Sequence, residues 1–313
     1  KSGTRMKEDD GVEHFFTCCD HDSLLFFSDR GVAYCLKAYQ VPTGSRTSRG
    51  MPIVQLLPIP RDEKITSIVP VTEFSRDEYL VMMTTGGYIK KTELAAFSNI
   101  RANGLIAITL EAGDQLRWVR RAHNGDSIII GSRQGMAIHF KIDQERLRSS
   151  GRTARGVKAM ALRAGDHLIG MDILPAATIA ELVDEPGEEE PVEPLTPLPQ
   201  GPCVLVITTG GYGKRVPFSQ FRLQNRAGMG LVAIKFRHAQ DQVASLQVVH
   251  QEDELMIITS RGIIIRQAVN AISPQSRMAT GVRVQRLDEE DSIVAVALVP
   301  PSSEADLLEN GEN

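Results

Sequence analysis

The chain is poor in aromatic residues and in cysteine. Phe, Trp and Tyr make up 5% of its 313 residues, so Val, Ile, Leu and Met must fill the interior. None of the four cysteines belongs to a C-x-x-C pair, and no histidine cluster completes a zinc site. We expect buried thiols in a reducing cytoplasm, with a redox pair at Cys18 and Cys19 as the alternative. The other two cysteines are Cys35 and Cys203.

Long apolar runs are also missing. No uncharged apolar stretch approaches the roughly 18 residues of a membrane helix. The N-terminal KSGTRMKEDD does not have the pattern of a signal peptide, and because it begins without Met we expect a cut made inside a longer protein. Hydrophobic residues make up 42% of the chain, enough for one sizeable core or several small ones.

The residues of a catalytic site are not assembled in this sequence. The seven histidines share no repeated position, and none is paired with a Ser or Cys nucleophile at a recognisable spacing. The segment TTGGYGKR, residues 208–215, resembles a phosphate-binding loop, but Thr208 and Arg215 stand where that loop needs Gly and Ser or Thr. We therefore predict no active site, no metal and no cofactor in this chain.

What the sequence does contain is one pattern repeated five times. A hydrophobic strand leads into a glycine turn, and a second strand ends on Lys or Arg; a second glycine follows, and then an acidic residue precedes a further strand. The period is roughly 50 residues, which indicates a repeat architecture. The repeats cover residues 14–73, 79–122, 127–175, 203–250 and 255–300.

Each repeat predicts four strands. Two form a hairpin rich in Val, Ile, Met and Thr, one follows the second glycine, and one follows the acidic residue, which we interpret as a turn former. Four strands at this period are typical of a propeller blade. Helix is nearly absent, with one turn expected at 143–149. The strands after the second glycine are predicted at 53–57, 105–110, 157–162, 231–236 and 282–287.

Acidic residues are concentrated in two segments. Residues 176–202 hold seven acids and six prolines, and residues 301–313 hold four acids. We expect the first to be a mobile loop between the third and fourth blades and the second to be disordered. Setting these eleven acids aside leaves 28 acidic against 35 basic residues, so the net charge of −4 conceals a body of +7 and a polyanion partner is plausible.

Basic residues recur at two positions of the repeat, the hairpin exit and the segment before the second glycine. Equivalent positions in a ring of blades lie on one rim, so these residues predict a positive belt. A belt without interleaved aromatic residues suits duplex phosphates better than stacked single-stranded bases. The predicted phosphate contacts are Lys37, Arg46, Arg49, Lys90, Lys91, Arg101, Lys141, Arg152, Arg155, Lys214, Arg215, Arg222, Arg226, Arg266 and Arg277.

Six segments of the chain are distinctive: YQVPTGSRTSRGMPIVQLLPI at 39–59, KITSIVPVTEF at 64–74, GGYIKKTEL at 86–94, TGGYGKR at 209–215, MIITSRG at 256–262 and RMKEDD at 5–10. They resemble the C-terminal domain family of DNA gyrase A proteins. The resemblance implies an all-β fold called a β-pinwheel, a propeller-like ring of four-stranded blades that exchange strands. Five full repeats are visible, and a sixth blade completed by the termini is the alternative.

The resemblance also implies a function. Duplex DNA would bend around the basic rim, without base readout, and support negative supercoiling driven by ATP on gyrase B. The partners would be DNA, the N-terminal part of gyrase A and gyrase B, with no membrane; the fragment itself would be monomeric, in a cytoplasmic or organellar setting. ATP and Mg²⁺ would be used elsewhere in the holoenzyme.

The sequence departs from this family in two ways. The seven-residue box resembling Gln-Arg-Arg-Gly-Gly-Lys-Gly, and the three strands before it, are not in the sequence, and the insert at 176–202 is not a family feature. A related alternative is the C-terminal domain of the A-type protein of topoisomerase IV, which shares the fold without the box. A propeller that binds proteins is a third hypothesis.

Overall fold

The computed structural model describes residues 16, 18–44, 50–180 and 201–299. These residues form nineteen strands and almost no helix, so the predicted all-β class is confirmed. The strands are β1 (Ser23–Ser28), β2 (Val32–Lys37), β3 (Ile65–Val71), β4 (Glu78–Thr84), β5 (Tyr88–Glu93), β6 (Leu105–Ile106), β7 (Leu116–His123), β8 (Ser127–Ser132), β9 (Met136–Lys141), β10 (Val157–Lys158), β11 (Leu168–Leu174), β12 (Cys203–Thr208), β13 (Tyr212–Pro217), β14 (Leu231–Val232), β15 (Val243–Val249), β16 (Glu254–Thr259), β17 (Ile264–Ala268), β18 (Val282–Arg283) and β19 (Ile293–Val299).

Each repeat builds most of one blade and lends a strand to the preceding one. The hairpins β1–β2, β4–β5, β8–β9, β12–β13 and β16–β17 are the predicted ones, and each pairs with the long strand that follows the acidic residue. The short strand after the second glycine crosses to the previous hairpin, which gives the orders β3-β1-β2-β6, β10-β5-β4-β7, β11-β8-β9-β14 and β15-β12-β13-β18. We call β6, β10, β14 and β18 the exchanged strands.

The acidic residue closes the hairpin turn in the second to fifth repeats, whereas in the first repeat Asp62 contacts, among the described residues, only the side chain of Arg30. Gly87 and Gly211 have φ of +87° and +84°, which glycine adopts without a steric penalty. Asp114 Oδ1 accepts hydrogen bonds from Gly86 N at 2.7 Å and from Thr85 Oγ1 at 3.0 Å. Asp241 repeats both contacts in the fourth blade. In those four repeats the acidic residues are therefore turn formers, as predicted, and the TTGG segments are hairpin turns.

The core lies between neighbouring blades. The first strand of each of the first four hairpins is fully buried, because both faces of its sheet are covered. Between the first two blades, for example, Leu25 and Phe27 of β1 belong to the same cluster as Leu80 and Met82 of β4. The long strands form the inner edge, where β3 contacts β7, β7 contacts β11, β11 contacts β15 and β15 contacts β19.

The fifth blade is incomplete within the described part of the chain. Its sheet has three strands in the order β17-β16-β19, because no exchanged strand pairs with β17 there. Among the same residues, no packing comparable to that of the other inner strands joins β19 to β3. The described residues thus form a propeller-like ring of five blades, as the five repeats predicted, and the alternative of a sixth blade is not seen among them.

Three local predictions differ from the structure. The exchanged strands are only two residues long, because the next amide already donates to the hairpin glycine; Ala107 N, for example, bonds Gly31 O at 2.8 Å. The strand predicted at 53–57 is a 3-10 helix, Ile53–Gln55, since among the described residues no hairpin precedes it to accept a strand. The first residues of the acidic insert, Ala176–Ala180, form one turn of α-helix, α1.

The remaining short elements are 3-10 helices and one isolated turn. The turn expected at 143–149 is present, with Leu147 N donating to Asp143 O at 3.0 Å. The rest of the acidic insert, 181–200, and residues 300–313 lie outside the described residues. The further 3-10 helices are Ala38–Gln40, Leu94–Phe97, Phe218–Gln220 and Val269–Ala271.

The cysteines only partly follow the expectation of buried thiols. Cys203 is buried, and burial raises the pKa of its thiol, whereas Cys35 is half-buried. The expectation was wrong for Cys18 and Cys19, which are exposed because they precede the first blade, and neither forms a disulfide.

Among the residues that the structure describes, none of the helices has the length and apolar character needed to span a bilayer.

Candidate nucleic-acid interface

The exchanged strands and the loops that lead into them form the outer edge of the first four blades. Each of these loops, which we call rim loops, ends on the second glycine of its repeat. Those glycines have φ between +76° and +95°, so the chain turns sharply from the loop into the exchanged strand. The rim loops comprise residues 98–104, 149–156, 221–230 and 273–281.

Most of the predicted phosphate contacts have some exposure in the structure. Arg101, Lys141, Arg155, Arg222 and Arg266 are exposed. Arg46 and Arg49 lie outside the described residues. Lys37, Arg152, Arg226 and Arg277 are half-buried.

Several of these cations already have partners in the protein. Arg155 stacks over the ring of Tyr88, 4.7 Å from its centroid, and forms an ion pair with Glu111. Arg266 forms an ion pair with Glu254. Because such exposed pairs contribute little to stability, a phosphate can compete for either arginine.

Other cations of the set hold main-chain carbonyls. Lys37 Nζ donates to Ser23 Oγ at 2.9 Å and to His21 O at 3.2 Å. Arg226 donates to Arg146 O and Lys158 O, and Arg277 NH1 donates to Val232 O at 3.0 Å. These side chains therefore stabilise the fold in addition to any role in binding a ligand.

Four of the predicted contacts are not on the surface. Lys90, Lys91, Lys214 and Arg215 have exposed fractions of 1%, 0%, 0% and 5%. Their side chains are enclosed by neighbouring segments of the chain. Lys90 and Lys214 donate to rim-loop carbonyls, while Arg215 donates to Ile272 O and Lys91 to Asn124 Oδ1. We therefore remove these four residues from the proposed phosphate contacts.

Lys90 and Lys214 occupy the same position in the second and fourth blades, three residues after the hairpin glycine. Each ammonium group is surrounded by carbonyl oxygens of a rim loop. Burial, aided by the positive charge of Arg152, lowers the pKa of Lys90 to about 8. Burial, aided by Arg277, lowers the pKa of Lys214 to about 7.

The next residue along each strand holds a different part of the loop. Arg215 Nε donates to Ile272 O at 2.6 Å, and His139 Nδ1 lies 2.6 Å from Phe221 O in the third blade. Lys91 instead donates to Asn124 Oδ1 at 2.6 Å. Burial lowers the pKa of both Lys91 and His139. Polar side chains at this position thus anchor neighbouring loops and are not free for a ligand.

Two exposed cations on the exchanged strands were missed at the sequence level. Lys158 and Arg283 are the second residue after Gly156 and Gly281, and both are exposed. Arg283 donates from NH2 to Tyr212 Oη at 2.8 Å. Aligning the repeats two residues beyond the second glycine would have revealed them.

A basic groove lies between the rim loop of the second blade and that of the third. Its volume is about 800 Å³, and its walls include four arginines and a single acid, Glu145. Sequence reasoning missed two of the arginines because they lie in the turn at 143–149, which has no counterpart in the other repeats. The four arginines are Arg146, Arg148, Arg155 and Arg226.

The described ranges contain no cluster of three or more His, Cys, Asp or Glu that could hold a metal ion. What they do contain is a curved series of strand-exchanged blades with positive loops at the outer edge. That combination defines a class of β-propeller domain suited to an extended anionic ligand.

Comparison with known proteins places the chain in a family. It matches the family described as "DNA gyrase C-terminal domain, beta-propeller" over residues 22–72, 78–123, 126–175, 204–250 and 253–300. The chain belongs to that family.

The relatives are gyrase A proteins of bacteria and plant organelles. The DNA gyrase A protein of Synechocystis sp. is 62% identical over 321 residues, which cover 100% of this chain and 37% of the relative. The chloroplastic/mitochondrial gyrase A protein of Arabidopsis thaliana is 38% identical, covering 97% and 32%. The Haemophilus influenzae gyrase A protein is 34% identical, covering 100% and 36%. The chain therefore spans about a third of the length of these relatives.

Solved structures share the fold at low sequence identity. The C-terminal domain of DNA topoisomerase IV aligns with a TM-score of 0.75 at 23% identity, over 94% of this chain and 85% of that one. The DNA gyrase A C-terminal domain aligns with a TM-score of 0.69 at 23% identity, over 95% and 91%. The fold alone does not separate the two subfamilies, whereas the sequence relatives are gyrase proteins.

Proposed function

We propose that this chain bends duplex DNA around its outer rim, as one part of a gyrase-type topoisomerase. The observation that carries the proposal is the recurrence of basic rim loops at the outer edge of successive blades. Lysine and arginine side chains there neutralise phosphates, while the curvature of the ring sets the path of the duplex. Arg101, Arg155 and Arg222 are exposed examples from three different rim loops.

The energetics of such binding are favourable for a non-sequence-specific ligand. Bending a site of 20–30 bp by 40–90° costs about 1–6 kcal/mol by elastic estimates. A series of phosphate contacts offsets this cost, and the release of counterions supplies most of the affinity. The duplex backbone is the part recognised, so base sequence has little influence.

The wider setting is part of the same proposal. The chain acts with the N-terminal part of gyrase A and with gyrase B, which supplies ATP hydrolysis, and it holds no cofactor of its own. The fragment is monomeric, and its compartment is the bacterial cytoplasm or an organelle, as the origin of the relatives suggests. Negative supercoiling is the reaction that the wrapped duplex serves.

The proposal is tested by the anisotropy of a labelled duplex of about 30 bp, the length over which bending is costly. Affinity should fall on the order of 10³–10⁵-fold from 50 to 200 mM salt if roughly six to ten phosphates are contacted. Arg101→Ala and Arg222→Ala should each weaken binding and reduce the salt slope by about 1. The matched control is Arg133→Ala, an exposed arginine at the β8–β9 turn, outside the rim loops.

Two outcomes would contradict the proposal. One is an affinity that does not change with salt, and the other is equal affinity for single and double strands. A failure to shift any duplex would favour a propeller that binds proteins.

A further inference from the structure

The two buried lysines of the second and fourth blades make the same set of contacts. Each ammonium group donates to three main-chain carbonyls of one rim loop, more than 60 residues further along the chain. Lys90 Nζ donates to Gly151 O at 2.9 Å, Arg152 O at 2.6 Å and Ala154 O at 3.2 Å. Lys214 Nζ donates to Ser276 O at 2.7 Å, Arg277 O at 2.7 Å and Ala279 O at 2.9 Å.

This geometry uses the full capacity of the ammonium group. A charged lysine has three N–H donors and no acceptor, so each loop provides one carbonyl for every donor. Hydrogen bonds from a charged donor are the stronger kind, and these are shielded from water because both lysines are fully buried. The main chain of the loop is therefore tied at three points to the rigid hairpin beneath it.

The lysine is not required by the packing of a blade. The equivalent position, three residues after the hairpin glycine, is Tyr34, Ile138 and Ile265 in the other three blades. Ile138 is fully buried in the same type of core. Since an isoleucine packs in the blade core at this position, we attribute the presence of lysine to its hydrogen bonds with the rim loop.

The residues carried by the tied loops support this role. Lys90 holds the carbonyl of Arg152 itself and that of Ala154, the residue before Arg155, and Arg155 also lines the basic groove. In the third blade, where no lysine is present, Arg226 of the rim loop itself donates to main-chain carbonyls of its neighbours. The fourth blade combines both arrangements, because Arg277 also bonds Val232 O.

We propose that Lys90 and Lys214 are positioning residues for DNA binding: each fixes the main chain of one rim loop so that the arginines of that loop meet the duplex in a single arrangement. The inference rests on the proposed function, since it assigns a task within the same interface. Neither lysine touches the DNA. Both act through loop arginines, Lys90 through Arg152 and Arg155 and Lys214 through Arg277.

The test compares Lys90→Met with Lys91→Met in duplex binding. Lys90 and Lys91 are adjacent in sequence, and each variant removes one buried positive charge. The ammonium group of Lys91, however, bonds Asn124 Oδ1 and lies over Tyr79, whereas that of Lys90 bonds the rim-loop carbonyls. Lys90→Met should weaken duplex binding about tenfold and make the salt slope shallower by about 1–2, the signature of lost phosphate contacts. Lys91→Met should leave both values near those of the parent chain.

A double-mutant cycle separates positioning from a general loss of structure. When Arg152 and Arg155 are both replaced by Ala, adding Lys90→Met should cause no further loss of affinity. Amide exchange at Ala154, whose N–H bonds Gly151 O within the loop, should accelerate in Lys90→Met and not in Lys91→Met. If Lys90→Met does not fold, Lys90→Ile replaces it, because isoleucine occupies this position in two other blades.

The inference is overturned if a folded Lys90 variant binds the duplex as tightly as Lys91→Met, with the same salt slope. It is also overturned if the loss in Lys90→Met persists unchanged after the two arginines are removed. Failure of the proposed function looks different, because the parent chain itself would then show no salt-dependent duplex binding.

Discussion

At the scale of single residues, the proposed interface depends on charges that are not at the surface. Lys90 and Lys214 follow the same hairpin pattern as the exposed basic residues, and nothing in the sequence marks them as buried. Their surroundings are formed by loops more than 60 residues away, which local patterns do not reveal. In the structure, these two lysines are buried and donate to rim-loop carbonyls instead of facing a ligand.

The lowered pKa of Lys214 predicts how stability changes with pH. A lysine ordinarily titrates near 10.5, and here the folded-state pKa is about 7. Between these values the unfolded chain binds more protons than the folded chain, so stability rises with pH by up to about 1.4 kcal/mol per unit. Below pH 7 the lysine is charged in both states and the cost of burying that charge is fully present.

Urea unfolding of the parent chain and Lys214→Met between pH 6.5 and 9.5 checks this effect. The charged group that acts on this lysine is Arg277 of the rim loop, and because arginine keeps its charge in this range its effect is constant over the window. The parent should gain stability relative to the variant as pH rises. Parallel pH profiles would contradict the assigned pKa, and Lys90→Met should show the same trend over a window beginning near pH 8.

At the scale of elements, the exchange of short strands joins the blades. The sequence predicted four strands per repeat because three anchors recur in fixed order, and the hairpins and long strands follow that prediction. It could not show which hairpin receives the short strand, because both the same and the preceding hairpin offer an apolar partner. The sequence also could not show that each exchanged strand pairs over only two residues. That length is set by a carbonyl of another repeat, which in the first blade is Gly31 O.

The glycine that begins an exchanged strand should tolerate no side chain. Gly156 has φ of +95°, and a Cβ there would lie 2.5 Å from Ile89 O of β5. Positive φ alone costs an alanine about 1–2 kcal/mol, and the displaced backbone adds to this. Gly156→Ala should therefore lower the free energy of unfolding by about 2–4 kcal/mol, measured by urea denaturation.

Gly151 provides the control within the same rim loop. A Cβ at Gly151 would have no atom within 4 Å. Gly151→Ala should change stability by no more than about 0.5 kcal/mol. If both variants lost the same free energy of unfolding, the loss would come from adding a side chain anywhere in the rim loop and not from the backbone conformation at the start of β10.

At the scale of the whole molecule, charge is divided between the blades and the segments outside them. The net charge of −4 is the sum of −11 in residues 176–202 and 301–313 and +7 in the rest of the chain. The positive remainder is distributed over several rim loops and the groove between the second and third blades. A polyanion therefore meets a surface whose charge is opposite in sign to that of the chain as a whole.

The acidic tail is predicted to compete with DNA for this surface. Deleting residues 301–313 removes four acids, so binding of a duplex at low salt should tighten several-fold. Near 0.2 M salt the difference should largely vanish, because the screening length falls to about 7–8 Å. A tail of unchanged length carrying Glu304→Gln, Asp306→Asn, Glu309→Gln and Glu312→Gln should match the deletion, which separates charge from bulk. If neither variant alters affinity at low salt, the tail contributes to solubility alone, and the positive rim is open to DNA without competition from within the chain.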